Sequence, residues 1–284
     1  MSKLMRLLSV AAFLFLLVFS SCNKYGGTIP HPPGHQDSLC QVVQLRVLSV
    51  FGPDRYAITY NSKGDPVSML VDSVDANVKL GNLDHYYRYD GSGRLSDQVI
   101  AGIQSPTANA WHKYVYVAPD LIVDTLLYFD QEDPSSLPSV NAPTPSSVNA
   151  YNYILYTYGL DAQGRVVTAT SQSRNLSLAP TTLTWTYDAK GNRNLTDATL
   201  TYDDKVNPYL TSKVWQFLNL DYSINNPIRK DSSYTNVYNA FGLPTDLQAI
   251  VDYDDNLILF GVQNFNPNIQ ITYACPMLHG PVSY

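Results

Sequence analysis

His31 and His35, separated by Pro-Pro-Gly, are the first residues along the chain whose types suit a divalent metal. Only Asp37 stands close enough to join them, so they read as part of a solvated segment. Asp252, Asp254 and Asn256 have the alternate-residue spacing that opens a calcium loop, in which successive oxygens face one cation. Leu257 stands where such a loop needs glycine, which favours an ordinary turn. Asp130, Glu132 and Asp133 are a candidate acid pair for glycoside cleavage, which needs two carboxyls roughly 5–10 Å apart across a cleft. Adjacency alone joins them, and a solvated loop is the better reading. His85, His112 and His279 have no readable partner, and the chain lacks a Gly-x-Ser-x-Gly elbow and a phosphate-binding glycine loop. Trp111, Trp185 and Trp215 are candidates for stacking on sugar rings, if exposed. No catalytic residue, cofactor or metal is predicted. The expectation is a non-enzymatic scaffold or binding module. Glycan capture is the alternative, with glycan hydrolysis and a membrane-spanning barrel behind it.

Composition restricts what positions these residues. The 284-residue chain carries 18 Lys+Arg against 24 Asp+Glu, a formal net charge of −6. Without residues 1–21, which hold Lys3, Arg6 and no acid, the charge is −8. That argues against a nucleic-acid partner, which needs a basic face to displace counterions. Charged residues are 15 % and apolar ones 45 %, enough for a packed core. With 22 Tyr against 9 Phe and 3 Trp, and few charged helix formers, the balance leans to β-structure.

Lys3 and Arg6 precede a run from Leu7 to Phe19 that has one polar member, Ser9, and small residues Ser20 and Ser21 follow. This is the pattern of a secretory signal over residues 1–21. As a helix the run spans about 20 Å, short of the ~30 Å hydrocarbon core. Phe19-Ser-Ser-Cys22 resembles the lipobox of bacterial lipoproteins, with Phe in the usual Leu place. The resemblance implies that Cys22 is lipidated and anchors the chain to a membrane. Asn23 rather than Asp follows, which in that family implies the outer membrane, on either of its faces. Residues 22–39, rich in Gly and Pro, read as the lipidated cysteine and a flexible tether, leaving 40–284 as one folded domain. With Cys22 lipidated, Cys40 and Cys275 remain as a pair in an oxidising compartment, and a disulfide joining the first strand to the last is expected.

One short phrase recurs. Tyr60-Asn-Ser-Lys-Gly64-Asp-Pro66, Tyr89-Asp-Gly-Ser-Gly93-Arg-Leu95, Leu160-Asp-Ala-Gln-Gly164-Arg-Val166, Tyr187-Asp-Ala-Lys-Gly191-Asn-Arg193 and Tyr238-Asn-Ala-Phe-Gly242-Leu-Pro244 are the full copies. Tyr202-Asp-Asp-Lys-Val206-Asn-Pro208 and Tyr253-Asp-Asp-Asn256 lack the glycine. A strand ends at the Tyr, Asn or Asp bonds its own downstream backbone, and Gly accepts positive φ. An apolar residue then starts the return strand, so each copy predicts a β-hairpin. The flanks alternate, as in Leu183, Trp185 and Tyr187 against Thr182, Thr184 and Thr186, and the tyrosines before the turns form an aromatic ladder. Spacings of 29, 71, 27, 15 and 36 residues between successive copies exclude a strict solenoid. The fold expected is all-β: one large antiparallel meander of hairpins forming a curled or barrel-like sheet. Gln131–Ala150 reads as a long surface loop, and Tyr209–Leu220 as the one short helix, with Val214, Phe217 and Leu218 on its apolar stripe.

The phrase resembles the YD (RHS-like) repeat, and the whole arrangement is similar to uncharacterised Gram-negative outer-membrane lipoproteins built from it. Tyr-Asn-Ser-Lys-Gly-Asp-Pro at 60–66, Tyr-Asp-Asp-Lys-x-Asn-Pro at 202–208 and Tyr-Ser-x-Asn-Asn-Pro at 222–227 carry that resemblance. It covers roughly residues 40–275 and implies a curled or barrel-like all-β sheet. It implies neither an activity nor catalytic residues. The partners it leaves open are the membrane, through the lipid, and a polysaccharide or another envelope protein.

Overall fold

Alternating apolar and polar residues, several of them flanking Asx-x-x-Gly turns, produce seventeen strands among the residues described by the computed structural model. It describes residues 40–49, 52–73, 83–129, 138–141, 153–173, 179–230, 236–248, 257–259, 262–264 and 268–275. The strands are β1 Gln41–Ser49, β2 Gly52–Tyr60, β3 Pro66–Ser73, β4 Leu83–Tyr89, β5 Leu95–Gly102, β6 Ala108–Ala118, β7 Leu121–Tyr128, β8 Tyr153–Leu160 and β9 Val166–Ser173. There follow β10 Thr181–Thr184, β11 Leu200–Val206, β12 Asn225–Arg229, β13 Val237–Tyr238, β14 Pro244–Gln248, β15 Leu257–Leu259, β16 Val262–Asn264 and β17 Asn268–Ala274.

Thirteen of them form one antiparallel sheet in the order β10-β9-β8-β7-β6-β5-β4-β3-β2-β1-β17-β14-β13. The first ten strands are the expected meander. Its ladder is not closed, and β10 and β13 are the two edges. Two small ladders, β11-β12 and β15-β16, stand outside it.

The predicted helical segment divides into a 3-10 turn, Pro208–Thr211, and a helix α1, Lys213–Leu218. Asn207 starts the first by accepting from the Tyr209 amide, and Ser212 starts the second by accepting from the Val214 amide. The helix is buried at Val214, Trp215, Gln216 and Phe217, so it lacks the one-sided stripe expected for it. The reason is its position. Tyr87 of β4 meets Trp215 edge-on at 5.6 Å, and Tyr114 of β6 and Tyr158 of β8 meet Phe217 at 5.2 and 5.4 Å. Trp215 Nε1 also donates to the Tyr60 hydroxyl of β2 at 3.4 Å. A flat sheet would separate β2 from β8 by about 29 Å, whereas six helical residues span about 9 Å. One helix touches all four strands because the sheet curls around it. The same core takes in Val42 and Leu45 of β1, Met69 of β3, Val166 of β9, Leu247 of β14, and Ile269 and Ile271 of β17.

The other sheet face carries a smaller apolar cluster of Val99, Ala101, Ala108, Trp111, Phe129 and Val140. Val140 belongs to the segment expected to be a surface loop, and residues 138–141 instead fold back on the sheet. The Ala108 amide donates to Pro138 O, the Val140 amide to Pro106 O, and Arg88 Nη2 to Val140 O. A second departure is at β10. All four of its residues are exposed, Leu183 included, so the apolar face predicted for that strand is covered only further on, where half-buried Trp185 packs against the core. Leu183 sits on an edge strand, with no neighbour beyond β10 in the sheet to cover it.

Candidate functional site

Because successive strands reverse direction, the β2-β3, β4-β5, β6-β7, β8-β9 and β13-β14 turns all emerge at one end of the sheet. Cys40, before β1, and Cys275, after β17, lie at this same end and form the expected disulfide, with Cα atoms 4.0 Å apart. The five repeat turns share one construction. Gly64, Gly93, Gly164, Gly191 and Gly242 all have φ between 74° and 85°. At Asp161 the Oδ1 accepts from the amides of Gln163 and Arg165, both at 2.9 Å, while Gly164 N donates to Asp161 O. Asn61, Asp90, Asp188 and Asn239 make the same three bonds. Where the residue after glycine is Arg, it pairs with the turn Asp at 2.7 Å, as Arg94 does with Asp90 and Arg165 with Asp161. Those guanidiniums lie over the rings of Tyr116 and Tyr187.

The tyrosines before the turns at Gly64, Gly93 and Gly191, with Tyr202 and Tyr273, act through their hydroxyls. Their phenols donate to backbone oxygens: Tyr89 to Pro66, Tyr187 to Val166, Tyr202 to Arg193 and Tyr273 to Pro244. Each acceptor is the seventh residue of a repeat copy, and for Tyr89, Tyr187 and Tyr202 it is that of the copy just before. Tyr60 donates to Val42 O of β1 in the same way. Tyr238 donates to the Asp203 carboxylate, and Val206 N to Gly242 O at 3.1 Å. The glycine-free copy at 202–208 therefore joins the turns at Gly191 and Gly242, on the side where the sheet ladder is open. Burial pushes the Tyr60 phenol up to about 12 and raises Tyr89 and Tyr187 further, so all three remain protonated donors at any physiological pH.

The inner face of the sheet holds a polar cluster beside α1. Gln98 of β5 is paired in register with Tyr87 of β4 and His112 of β6, and Tyr114 of β6 with Asp124 of β7. Asp124, 0 % exposed, takes His112 Nδ1 on Oδ2 at 2.9 Å, and its Oδ1 has no hydrogen-bond partner. A carboxylate only accepts, so Nδ1 carries the proton of that bond. Gln98 Nε2 bonds His85 Nδ1 at 3.1 Å, and Gln98 Oε1 accepts from Tyr114 at 3.3 Å. Burial, with a smaller push from nearby His112, lowers His85 to about 4 and keeps it neutral. The Asp124–His112 pair orients an imidazole as a general base requires. Tyr114, whose ring stacks on His112 at 5.9 Å, and Tyr158, which donates to Asp124 at 3.5 Å, are phenols beside the pair, and burial holds both well above their ordinary value. Sequence reading left His85 and His112 without partners. The one available signal was Asp124, a lone acid inside the apolar strand Leu-Ile-Val-Asp-Thr-Leu-Leu-Tyr.

The three tryptophans are not brought together. Trp215 is 0 % exposed in α1, and Trp111 is 4 % exposed, with Nε1 donating to Asp97 at 2.8 Å. Neither ring has an open face for a sugar, which corrects the stacking expectation for both. Trp185 is half-buried against the main core. Cys22, His31, His35, the acids at 130, 132 and 133, the 252–256 segment and His279 lie outside the described residues. Among the described residues no group of three His, Cys, Asp or Glu is placed to hold a metal, and no helix is long and apolar enough to cross a membrane. No protein-family model matches this chain, and a search of curated proteins finds no match.

Proposed function

We propose that this chain is a lipid-anchored, extracytoplasmic β-sheet protein of the outer membrane, built from YD-like repeats, that serves as a scaffold or binding module. The observation that carries the reading is the Cys40–Cys275 bond. It ties the first strand to the last, and such bonds persist in oxidising compartments outside the cytoplasm. The secretory pattern over residues 1–21 supplies the matching route. A scaffold or binding role suits a domain whose inner face is filled by α1 and whose repeat turns are fastened to one another. Its ligand would meet the outer faces and loops, where recognition is commonly carried.

The test is the mass and location of the mature protein. A diacylglyceryl group on Cys22, with membrane-bound wild type and a soluble Cys22→Ser variant, is the expected result. An unmodified Cys22, or equal partition of the two chains, would sink the reading. The partner class is then read from melting temperature against a panel of envelope polysaccharides, since binding to the folded state raises the midpoint. A reproducible shift identifies a glycan, and a flat panel directs the search to an envelope protein.

A further inference from the structure

We propose that the outer wall of the β6-β7 hairpin rests on the lipid surface. The proposal extends the anchored reading above and depends on it. Along the meander, the turn-end connections β2-β3, β4-β5 and β8-β9 carry the Asx-x-x-Gly turn, but β6-β7 is closed by Pro119-Asp120 alone. Its flanks read Val-Tyr-Val-Ala and Leu-Ile-Val. The tyrosines of β6 face the core, so Val115 and Val117 face outward, 46 % and 59 % exposed. Val117 is also the extra residue of a β-bulge, since Tyr116 pairs with Ile122 and Ala118 with the next residue, Leu121. Val123, half-buried, lies opposite Val115, and Pro119 is exposed at the tip. Exposed apolar side chains gathered on one hairpin need a cover.

A lipid surface fits for two reasons. Cys40, the first described residue after the proposed anchor in sequence, lies at the same end of the sheet. Charge agrees too. The flanking turns are self-neutralised by Asp90–Arg94 and Asp161–Arg165, and the tip itself carries one carboxylate, the exposed Asp120. This part of the surface is therefore close to neutral in a chain of net charge −8 after residue 21, and approaches anionic headgroups at little electrostatic cost.

The full lipid-bearing chain is reconstituted into phosphatidylethanolamine–phosphatidylglycerol vesicles, with and without bromine on the upper acyl carbons. Val117→Trp adds a fluorophore on the proposed contact. Tyr128→Trp adds one at an exposed position at the opposite end of β7. Brominated lipid is expected to remove about half of the emission added by Val117→Trp, as for a side chain at the headgroup–acyl boundary, and to leave that added by Tyr128→Trp unchanged. Equal quenching at the two sites, or none at Val117→Trp in a chain whose mass shows the lipid, overturns the docking proposal alone. A chain without the lipid on Cys22 overturns the anchor and the docking together.

Discussion

The Tyr89 phenol donates to the backbone oxygen of Pro66 across 2.5 Å, tying the second copy of the repeat to the return strand of the first. The same bond recurs between Tyr187 and Val166 and between Tyr202 and Arg193. The repeat thus encodes a turn and also a fastening to the turn before it.

Tyr89→Phe keeps the ring in place and removes the bond, leaving Pro66 O without that donor. A loss of about 1 kcal/mol in urea unfolding is expected. Tyr187→Phe, whose bond is longer at 3.3 Å, should cost less. Equal, negligible losses would show that the phenols do not fasten the turns.

Gly164 and Gly191 separate two costs. Both have positive φ, but a Cβ at Gly164 meets nothing within 4 Å, whereas one at Gly191 would lie 2.7 Å from Ile224 Cδ1. Gly164→Ala should lose roughly 1–2 kcal/mol from backbone conformation alone. Gly191→Ala should lose more, because Ile224 must also move. A reversed order would sink the crowding argument.

Reducing the Cys40–Cys275 bond releases a constraint spanning 235 residues. The chain-entropy treatment gives about 5.5 kcal/mol for so long a loop, and a Cys40→Ser/Cys275→Ser double variant should show a large part of it. Unchanged unfolding with and without reductant would mean that the bond does not form in solution.

His85 sets a pH dependence. Its folded value, about 4, lies below the ordinary 6.5, so the unfolded chain binds the proton more readily. Its contribution is complete above about pH 6.5 and is lost as pH falls towards 4, by about 3 kcal/mol in all. Melting temperature should therefore fall from pH 6.5 to 5, before most carboxylates titrate. His85→Gln should remove most of that slope, whatever its own midpoint, and an undiminished slope would assign the effect to other groups.

Local chemistry accounts for what the sequence determined by itself. Asx-x-x-Gly specifies its turn through bonds made within five residues, so the hairpins at Gly64, Gly93, Gly164, Gly191 and Gly242 were readable from the chain. So was the antiparallel meander that follows from reversing at each one. The terminal cysteines were readable because few pairings were open. Contacts distant in sequence decided the rest. Tyr60 and Trp215 are 155 residues apart, and only the curl of the sheet brings them into contact around α1. Trp111 reads the same in sequence whether it faces sugar or Phe129, because burial is set by which face the chain later covers. His112 acquires Asp124 only when β6 and β7 pair in register, since a slip of one residue would turn that carboxylate to the opposite face.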